Sequence, residues 1–582
     1  MERLIVGGAS GYWGEAPHAT AQLLAHPGLD VVIHDYLAEI TMSLLARARA
    51  KDPDAGFVPD FATAAMAPNL KAIAERGVRV ISNAGGLNPA GCAAALRKEI
   101  AAQGLTLKVG VVEGDDLTAR AAEFAGVREM FSGAPFPPEV ASVSAYLGAF
   151  PIAAALRAGA DIVVTGRCVD SALTLGAALW RFGWEEEDFD LLAAGSLAGH
   201  ILECGPQATG GNFTDWEAAG DIAAIGYPLA EIAADGAIAV TRPEGTTGLV
   251  SRATVAEQML YEIGDPRAYL LPDVSCDFSE VRIEEEGSGR VRVSGARGGA
   301  PSGKLKVSAT WRDGFRGGYL FEFNGRDAGA KARAFAAAGL TRARARLGAL
   351  NAPDFAETCV EVSGGRPGAG AYEEVTLKTA VRHEDARAVG LFLKETMGAG
   401  LAAPPGLHGF TGAGRSKPSP VVRLFSFLID AAAVPVRVSV DAAVVPFSPP
   451  APQAAGAAPG PHAPPEAAGE ADAARSLEAL AWARSGDKGD AANIGVIARR
   501  ADYLPWIWAA LTDDAIREAI PFAKGRIERF HLPGSASMNL LLHGALGGGG
   551  IASLLNDAQG KGYAQRLLAL PVRLPAALAP EG

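Results

Sequence analysis

The chain has 582 residues, so several domains are expected, each large enough to bury its own core. A composition of 49% hydrophobic and 20% charged residues is typical of a folded globular protein and excludes a largely disordered one. The formal net charge is −12 and no long Lys or Arg run is present, so we expect no nucleic-acid partner. No apolar run reaches the length of a membrane helix and MERLIVGG lacks the regions of a secretory signal, so we expect a cytoplasmic protein without a membrane partner.

The cysteines give no sign of a disulfide framework or a metal site. They are odd in number, widely separated and never in a CxxC pair: Cys92, Cys168, Cys204, Cys276 and Cys359. We therefore expect reduced thiols and no bound metal.

Residues 1–216 alternate short apolar runs with Ala/Leu-rich helical segments such as Ala16–Ala25 and Pro89–Gln103. The expected strands are Leu4–Val6, Val31–His34, Val78–Ser82, Leu107–Val112 and Ile162–Thr165. Repeated βα units produce a parallel sheet covered by helices. The sequence therefore predicts an α/β domain with a Rossmann-like parallel sheet core.

The rest of the chain divides into three further parts. Residues 217–446 predict a second α+β domain, inserted or following, because Val281–Ala309 alternates like strands and Ala328–Leu347 reads as a long helix. Residues 447–476 are rich in Pro and Ala and predict a flexible linker. Residues 477–582 predict a small C-terminal domain, with strands near Leu477–Ala483 and Ile494–Ala498 and a helix near Trp506–Glu518.

Polar residues follow all five expected parallel strands. Ligands of such sheets bind beyond the carboxyl ends of the strands, where loop amides and helix N-termini converge. Turn chemistry alone would place Gly and Asn at some of these positions. We nevertheless predict that these loops bind substrate, through Ser10, Asp35, Asn83, Gly85, Gly86, Asp115 and Arg167.

The first of these loops also resembles a dinucleotide fingerprint. Gly8, Gly11 and Gly14 lie between a strand and a helix, and Asp35 ends the next strand. The bulky Tyr12–Trp13 pair and the lack of an evident hydride-transfer arrangement argue against it. Bound NAD(P) is kept as an alternative.

The most concentrated polar stretch is LAGHILECGPQATGGNFTDW. In a helix over Ala194–Cys204, the side chains of His200, Glu203 and Cys204 share one face. His and Glu could exchange a proton as acid and base, and the thiol could be a nucleophile or metal ligand. The alternative is a helix end with a satisfied histidine and a packed cysteine. The next loop could cradle an anionic oxygen with amides of Thr209, Gly210, Gly211 and Asn212.

Two later segments carry charges beside glycines. LHGFTGAGRSKPSPVVRLFSF places Arg415 and Lys417 in a loop that could grip a carboxylate or phosphate, or could be a surface turn. ARSGDKGDAANIG places Asp487 and Lys488 between two expected strands, which favours a binding site or an interdomain contact.

Together these motifs resemble the AtuA (acyclic terpene utilisation) family. The resemblance rests on GGASGYWG, DYLAEITM, NAGGLNP, GADIVVTGRCVDSAL, LAGHILECGPQATGGNFTDW, VSATWRDGFRG and GRSKPSPVVRLFSF. SGDKGDAANIG is similar to the ferredoxin-like domain often attached to that family. The resemblance implies a small ferredoxin-like α+β fold at the C-terminus. It also implies a role in degrading acyclic terpenes through branched acyl-CoA thioesters, by carboxylation, hydration and carbon–carbon cleavage.

The function we expect is that of a hydratase or lyase acting on an acyl-CoA, with coenzyme A as part of the substrate. Proton transfer would fall to His200, Glu203 or Asp170, and Arg167 would bind a substrate carboxylate. An NAD(P)-dependent oxidoreductase and a non-catalytic partner of an acyl-CoA carboxylase are the alternatives. A homo-oligomer is expected.

Overall fold

The computed structural model describes residues 2–365, 373–409, 416–451, 459–550 and 552–580. The chain divides into two compact units. The first contains Met1–Thr310, Leu424–Ala545 and Gly560–Gly582, and the second contains Trp311–Arg423 and Leu546–Gln559. No helix of the described ranges combines the length and the apolar character needed to cross a membrane.

The elements follow one another along the chain in three groups. Residues 1–216 contain β1 (Arg3–Gly8), α1 (Ala19–Leu24), β2 (Val31–His34), α2 (Glu39–Arg49), α3 (Leu70–Arg76), β3 (Arg79–Ser82), α4 (Pro89–Ala102), β4 (Val109–Glu113), β5 (Ser142–Ala145), α5 (Phe150–Arg157), β6 (Ile162–Thr165), α6 (Ala172–Phe182) and α7 (Phe189–Leu202). Residues 217–446 contain β7 (Leu229–Ala233), β8 (Ile238–Thr241), α8 (Arg252–Met259), β9 (Tyr269–Leu270), β10 (Ser275–Asp277), β11 (Arg282–Gly287), β12 (Arg290–Ser294), β13 (Arg297–Gly299), β14 (Lys304–Gly325), α9 (Ala328–Ala349), β15 (Glu357–Gly364), β16 (Glu373–His383), α10 (Ala386–Gly398), β17 (Leu407–His408), β18 (Ser419–Asp430), β19 (Arg437–Val440) and β20 (Ala443–Val445). The remaining residues contain β21 (Ala473–Ser476), α11 (Leu477–Leu480), β22 (Ala481–Lys488), β23 (Ala491–Ala498), α12 (Leu504–Ala510), α13 (Asp513–Ala519), β24 (Ile527–Leu532), β25 (Ser537–Leu542), α14 (Tyr563–Leu568) and β26 (Pro571–Leu574).

The centre of the first unit is a parallel sheet made of all five strands expected from the sequence. They lie in the order β1, β2, β3, β6, β4, and each neighbouring pair is parallel. β2 and β6 read VVIH and IVVT and are buried on both faces. Continuous β-branched runs of this kind are typical of parallel strands covered by helices on both sides.

The order of these strands differs from that of a dinucleotide-binding sheet. In such a sheet the first strand lies in the middle, with parallel strands on both sides. Here the other four parallel strands all lie on one side of β1, and its second neighbour, β7, is antiparallel. The parallel α/β core is present, but the Rossmann-like description of it is not confirmed.

The sheet is extended on both sides by antiparallel strands, so it is a mixed sheet. β7, β8, β12 and β11 follow β1, and β19 and β20 follow β4. Residues 229–294, which the sequence assigned to a second domain, thus contribute four strands to the same sheet as the parallel core. β5 belongs elsewhere and pairs with the Val307–Thr310 part of β14.

The second unit is an antiparallel sheet covered by two helices. β16 lies between β15 and the Phe315–Gly325 part of β14, with β17 on the far side of β14. α9 and α10 pack against β16 through small apolar clusters that include Phe335 and Phe392. The helix expected at Ala328–Leu347 is present with nearly the same bounds.

The C-terminal residues of the first unit form a four-stranded antiparallel sheet in the order β22, β23, β25, β24. The expected strand at Leu477 begins instead with the helical turn α11. Leu477 and Leu480 lie three residues apart and are both buried, a spacing that matches one helix face and not one strand face. The single helix expected near Trp506–Glu518 is two helices, because the Thr512 side chain caps a new one by accepting from the amide of Ala515.

The described part of residues 447–476 is mostly exposed and contains only the strand β21. It is nevertheless attached at several places, among them the pairing of β21 with β26 and the backbone oxygen of Ala471, which accepts from Arg573. The ring of His462 lies 2.9 Å from the hydroxyl of Ser279, and the carbonyl of Ala463 lies 2.8 Å from the ring of His531.

Candidate functional site

Hydrogen bonds join the polar residues at the carboxyl ends of the parallel strands. The hydroxyl of Ser10 donates to the backbone oxygen of Asp35 (3.2 Å), and the amide of Asn83 donates to the Asp35 carboxylate (2.5 Å). The backbone N–H of Arg167 donates to the Asp115 carboxylate (2.7 Å). Arg167 Nη1 also donates to a backbone carbonyl in the loop after β2 (2.7 Å). The structure thus joins Ser10 and Asn83 to Asp35, and Asp115 to Arg167, five of the seven residues that the sequence proposed for these loops.

Two of these carboxyl groups are held in conditions that favour their neutral form. Burial raises the pKa of Asp35 well above its usual value, and the nearby Asp170 carboxylate adds to this effect. Burial likewise raises the pKa of Asp115 to about 7. A neutral carboxyl group can donate a hydrogen bond, which an ionised one cannot.

The end of α7 brings together His200 and Glu203, the two residues that the sequence proposed as an acid/base pair. His200 is 1% exposed, and its Nδ1 lies 2.9 Å from Glu203 Oε1. Its other ring nitrogen, Nε2, lies 3.1 Å from the backbone oxygen of Met259. A carbonyl only accepts hydrogen bonds, so Nε2 must carry a proton. The bond between Nδ1 and Glu203 therefore contains one further proton that either residue can hold.

The electrostatics of this pair favour a shared proton. Burial lowers the pKa of His200, but the adjacent Glu203 carboxylate outweighs it and raises that pKa above its usual value. Burial also raises the pKa of Glu203, against the opposing effect of His200. Glu203 Oε2 is buried and has no hydrogen-bond partner among the described residues. Buried polar atoms almost always have hydrogen-bond partners, so this oxygen is a candidate for contact with a bound molecule.

Asp170 connects the pair to the strand ends and to solvent. Its carboxylate accepts from Arg167 Nη1 (2.7 Å), and its side chain is 38% exposed. Its charge acts on both Asp35 and Glu203. The ring of Tyr269 packs near the ring of His200, with 5.6 Å between the two ring centres.

Arg167 also borders a small cavity on its other side. The guanidinium lies 4.3 Å from the ring centre of Tyr146, and the ammonium of Lys306 lies 4.8 Å from the same ring. The Tyr146 hydroxyl donates to Glu39 (3.0 Å). Burial opposes ionisation of Glu39, but Lys306 and Arg167 outweigh it and lower its pKa to about 2. This small cavity is lined also by Met42, Ser142, Ser144, Ser308, Thr310 and Leu424.

Two polar atoms at this cavity are buried without a partner among the described residues, Arg167 Nε and the hydroxyl oxygen of Ser144. Buried polar groups almost always have hydrogen-bond partners. These two atoms are therefore candidates for binding a ligand oxygen.

The comparisons with known proteins decide the family. Residues 4–440 match the family described as acyclic terpene utilisation family protein AtuA. The chain belongs to this family. Residues 475–573 match the AtuA ferredoxin-like domain, so both parts of the resemblance found in the sequence are confirmed. No curated protein and no solved structure matches the chain.

Two of the three glycines of the first loop of this AtuA protein, Gly8 and Gly11, are explained by packing, and the third, Gly14, adopts a positive φ of 107°. A β-carbon at Gly8 would lie 2.5 Å from the backbone oxygen of Leu202, and one at Gly11 would lie 2.9 Å from the α-carbon of Cys204. The end of α7 therefore occupies the space beside this loop. Gly85 has a similar role, since a β-carbon there would lie 2.5 Å from the backbone oxygen of Thr165, and Gly86 adopts a positive φ of 52°.

The expected oxyanion cradle is not available in the form that the sequence suggested. The backbone N–H groups of Gly210 and Gly211 both donate to the carbonyl of Pro206. The Thr209 hydroxyl also donates to backbone carbonyls, including that of Gly226 (2.5 Å). Asn212 is exposed, with a φ of 55°. The two glycine amides and the Thr209 hydroxyl are thus already engaged by backbone carbonyls of the protein.

The other predicted residues, Cys204, Arg415 and Lys417, give no support for a nucleophile or a cationic binding loop. Burial and the carboxylates of Glu203 and Glu262 raise the pKa of Cys204 well above its usual value, which disfavours a thiolate nucleophile. Lys417 is exposed, and Arg415 lies outside the described residues. Within the described ranges, no group of His, Cys, Asp or Glu side chains could hold a metal ion.

Asp487 and Lys488 lie at the end of strand β22 of the ferredoxin-like domain and not in a loop. Asp487 pairs with Lys561 (3.0 Å), which also pairs with Glu262 (3.0 Å). The ammonium of Lys488 lies 5.6 Å from the ring centre of Tyr269.

Several residues of the site could not be identified from the sequence. Lys306 lies on β14 and Tyr146 directly follows β5, two strands that are far apart in sequence but pair with each other. Tyr269 belongs to a two-residue strand. No local pattern marks such residues. Glu39 stands in the run after the second strand, and its distance of four residues from Asp35 was the only available signal.

Proposed function

We propose that this AtuA protein is an enzyme of acyclic terpene or branched acyl-CoA catabolism, a hydratase or lyase that moves a proton beside an acyl-CoA thioester. The observation that carries the proposal is the buried His200–Glu203 pair, which shares one proton and leaves Glu203 Oε2 without a partner. A general acid/base must hold a proton and release it within reach of the substrate. The His200–Glu203 hydrogen bond supports the first requirement, and the unpartnered Glu203 Oε2 is the atom at which we propose that substrate is reached.

In a hydration, the pair would accept one proton from a water molecule as its oxygen bonds to the β-carbon. One proton would be delivered to the α-carbon, so that the carbon–carbon double bond becomes a single bond bearing H and OH. Glu203 is the candidate for the contact with the reacting atoms, because its free oxygen is available. His200 would act through Glu203, because both of its nitrogens are already bonded.

Binding of a substrate oxygen is assigned to Arg167, Lys306 and Ser144. Arg167 Nε and the Ser144 hydroxyl lack partners among the described residues, and both residues line the same small cavity. The ammonium of Lys306 lies 4.8 Å from the ring centre of Tyr146, which also lines that cavity. A planar guanidinium suits a carboxylate or a thioester oxygen that becomes negatively charged. Coenzyme A would enter as part of the substrate, and the turn at Thr209–Asn212 is not required.

An NAD(P)-dependent reaction at the first glycine loop receives less support, because the end of α7 packs directly against Gly8 and Gly11. A non-catalytic role beside an acyl-CoA carboxylase remains the other candidate function. A cytoplasmic location and a homo-oligomer stay proposals.

The test measures proton exchange, which does not depend on a favourable overall equilibrium. The protein is incubated in D₂O with a panel of branched enoyl-CoA and 3-hydroxyacyl-CoA thioesters, and deuterium uptake and product formation are followed by mass spectrometry. We expect uptake at the α-carbon of at least one thioester. Glu203→Gln and His200→Gln should each slow this uptake by about 10²-fold or more while substrate still binds in native mass spectrometry.

The matched control is His383→Gln. His383 is also buried with both ring nitrogens bonded, to the carbonyl of Pro353 and the amide of Asp385, but neither partner is a carboxylate. This variant should exchange at the wild-type rate. Normal exchange in both His200→Gln and Glu203→Gln would contradict the proposed role of the pair. The absence of exchange with every thioester, together with co-purification of carboxylase subunits, would favour the non-catalytic role.

A further inference from the structure

We infer that the ferredoxin-like domain contributes to the active site itself, by holding the ammonium group of Lys488 opposite the His200–Glu203 pair across the ring of Tyr269. The inference deepens the proposed function and rests on it for the role of the pair. It assigns Lys488 as a positioning residue that sets the charge balance of the acid/base pair.

The ring of Tyr269 lies close to both groups. Its ring centre lies 5.6 Å from the Lys488 ammonium and 5.6 Å from the centre of the His200 ring. A cation within about 6 Å of an aromatic ring is attracted to its face. The positive charge of Lys488 also acts on both His200 and Glu203.

Two glycines allow the β22–β23 hairpin to approach the turn after α8 closely. A β-carbon at Gly486 would lie 2.6 Å from the ring of Tyr261, and one at Gly495 would lie 2.5 Å from the β-carbon of Leu260. Neither position has room for a larger residue. The hairpin that ends in Lys488 is therefore packed directly against residues 260–261.

Two buried asparagines fix this contact by hydrogen bonds to the same turn. Asn493 accepts from the backbone N–H of Glu262 (2.7 Å) and donates to the carbonyl of Leu260 (3.0 Å). Asn539 donates to the carbonyls of Ile263 (3.0 Å) and Gly264 (2.6 Å). Glu262 has a φ of 57°, a left-handed conformation that these bonds help to hold. Such specific contacts position the hairpin as a rigid part of the site.

The two charges at the end of β22 have different surroundings. Asp487 is neutralised by Lys561 (3.0 Å). Lys488 is exposed, and no carboxylate of the described residues lies within the 4.0 Å of an ion pair with it. Its charge is therefore not cancelled by a direct partner and can act on the pair.

The charged and titratable groups that face the pair come from several elements. Asp170 follows β6, Asp35 follows β2, Tyr269 lies on β9, and Cys204 follows α7. The carboxyl groups of Asp170 and Asp35 and the burial of Glu203 favour the protonated form of Glu203. The charge of Lys488 favours the deprotonated forms of both Glu203 and His200. Removal of the Lys488 charge must therefore raise the pKa of the pair.

The test is a titration of the full-length protein with ¹⁵N-labelled histidine, followed by NMR, with His200→Gln used to assign the His200 signal. We expect Lys488→Met to shift the titration of His200 upward by about 0.5 pH unit or more at low salt. If His200 titrates outside the accessible pH range, the two proteins are compared at one fixed pH. The ring ¹⁵N shifts of His200 in Lys488→Met should then lie closer to those of a doubly protonated ring than they do in the wild type. Lys488→Arg should restore the wild-type behaviour, because it keeps the charge.

Lys524→Met is the matched control, because Lys524 is an exposed lysine of the same domain without a part in the site. It should leave the His200 signal unchanged. An unchanged His200 signal in Lys488→Met overturns the inference, whatever the enzyme does. A shifted signal in a protein that exchanges no deuterium into any branched acyl-CoA supports the inference and contradicts the proposed function, so the two failures are distinguishable. Since Lys488 is exposed, folding of the variants is checked by thermal unfolding.

Discussion

Arg167 contacts several parts of the site at once. Its backbone N–H holds Asp115, its Nη1 bonds the loop after β2 and Asp170, and its guanidinium stacks on Tyr146. An ammonium group cannot reproduce these simultaneous planar contacts. The residue is therefore the most sensitive point of the proposed substrate-binding region.

We predict that Arg167→Lys weakens binding of a substrate acyl-CoA by about 10-fold or more, because the planar fork is lost. Binding is measured by native mass spectrometry or calorimetry. Arg49→Lys is the control, since Arg49 also bonds a carbonyl and a carboxylate, those of Leu87 (2.8 Å) and Asp116 (2.6 Å), without lining the cavity. Equal affinities of the two variants would remove Arg167 from the binding role.

Asp115 predicts a pH dependence of stability. Its pKa of about 7 in the folded protein exceeds the value of about 4 expected when it is unfolded. Between these values the unfolded chain loses the proton while the folded chain keeps it, so the free energy of unfolding falls as the pH rises from about 4 to about 7. The contribution of Asp115 to this fall is up to about 4 kcal/mol.

We therefore expect Asp115→Asn to show a smaller fall than the wild type over this range in denaturant unfolding. Asp52→Asn, at an exposed position, should keep the full fall. If Asp115→Asn and the wild type lose the same stability between these pH values, the carboxyl of Asp115 is not protonated in the folded protein.

At the scale of elements, the sequence was most informative where burial and periodicity are strong. The five parallel strands could be predicted because runs such as VVIH and IVVT have no other stable place than a covered sheet. The His200–Glu203 pair followed from helix geometry alone. The order of the strands could not be predicted, because strand pairing between distant segments leaves no local signal.

The glycine loop shows how one pattern can have two physical causes. Glycine spacing after a strand suits both a pyrophosphate and a close approach of another backbone. In this protein the approaching backbone is that of Leu202 at Gly8 and of Cys204 at Gly11.

We predict that Gly8→Ala destabilises the protein by about 1–3 kcal/mol, because its β-carbon would collide with the backbone oxygen of Leu202. It should also lower turnover, since the same helix carries His200. Gly126→Ala serves as the control, because nothing lies within 4 Å of a β-carbon there and its φ is not positive. Both variants are compared by thermal unfolding, and equal melting temperatures would show that the loop can yield.

At the scale of the whole molecule, the sequence located the ferredoxin-like domain but not its docking. Composition predicted a flexible linker at residues 447–476, and the charges of SGDKGD indicated a site or an interdomain contact. The bonds of Asn493 and Asn539 to the turn at residues 260–264 could not be foreseen, because they join segments more than 200 positions apart. The role of a hairpin that completes a distant site is visible only in three dimensions.

Limited proteolysis can show whether the ferredoxin-like domain stays bound after the chain between the two domains has been cut. We expect limited digestion to cut between Phe447 and Arg475, on either side of the attachment at His462. The nicked protein should remain a single species in size exclusion, because buried hydrogen bonds hold the domain in place, and should separate into two pieces only on a denaturing gel. Dissociation under native conditions would show that the docking is weak.

The asparagine contacts have a consequence for how the protein can be assembled. If these contacts hold the ferredoxin-like domain in place, the linker only raises the local concentration of one domain near the other. Its length and composition are then under little constraint from the chemistry. Two separately translated polypeptides, one ending before the predicted linker and one beginning after it, would form the same proposed site by association. The gene could then be divided at that point without loss of the proposed reaction.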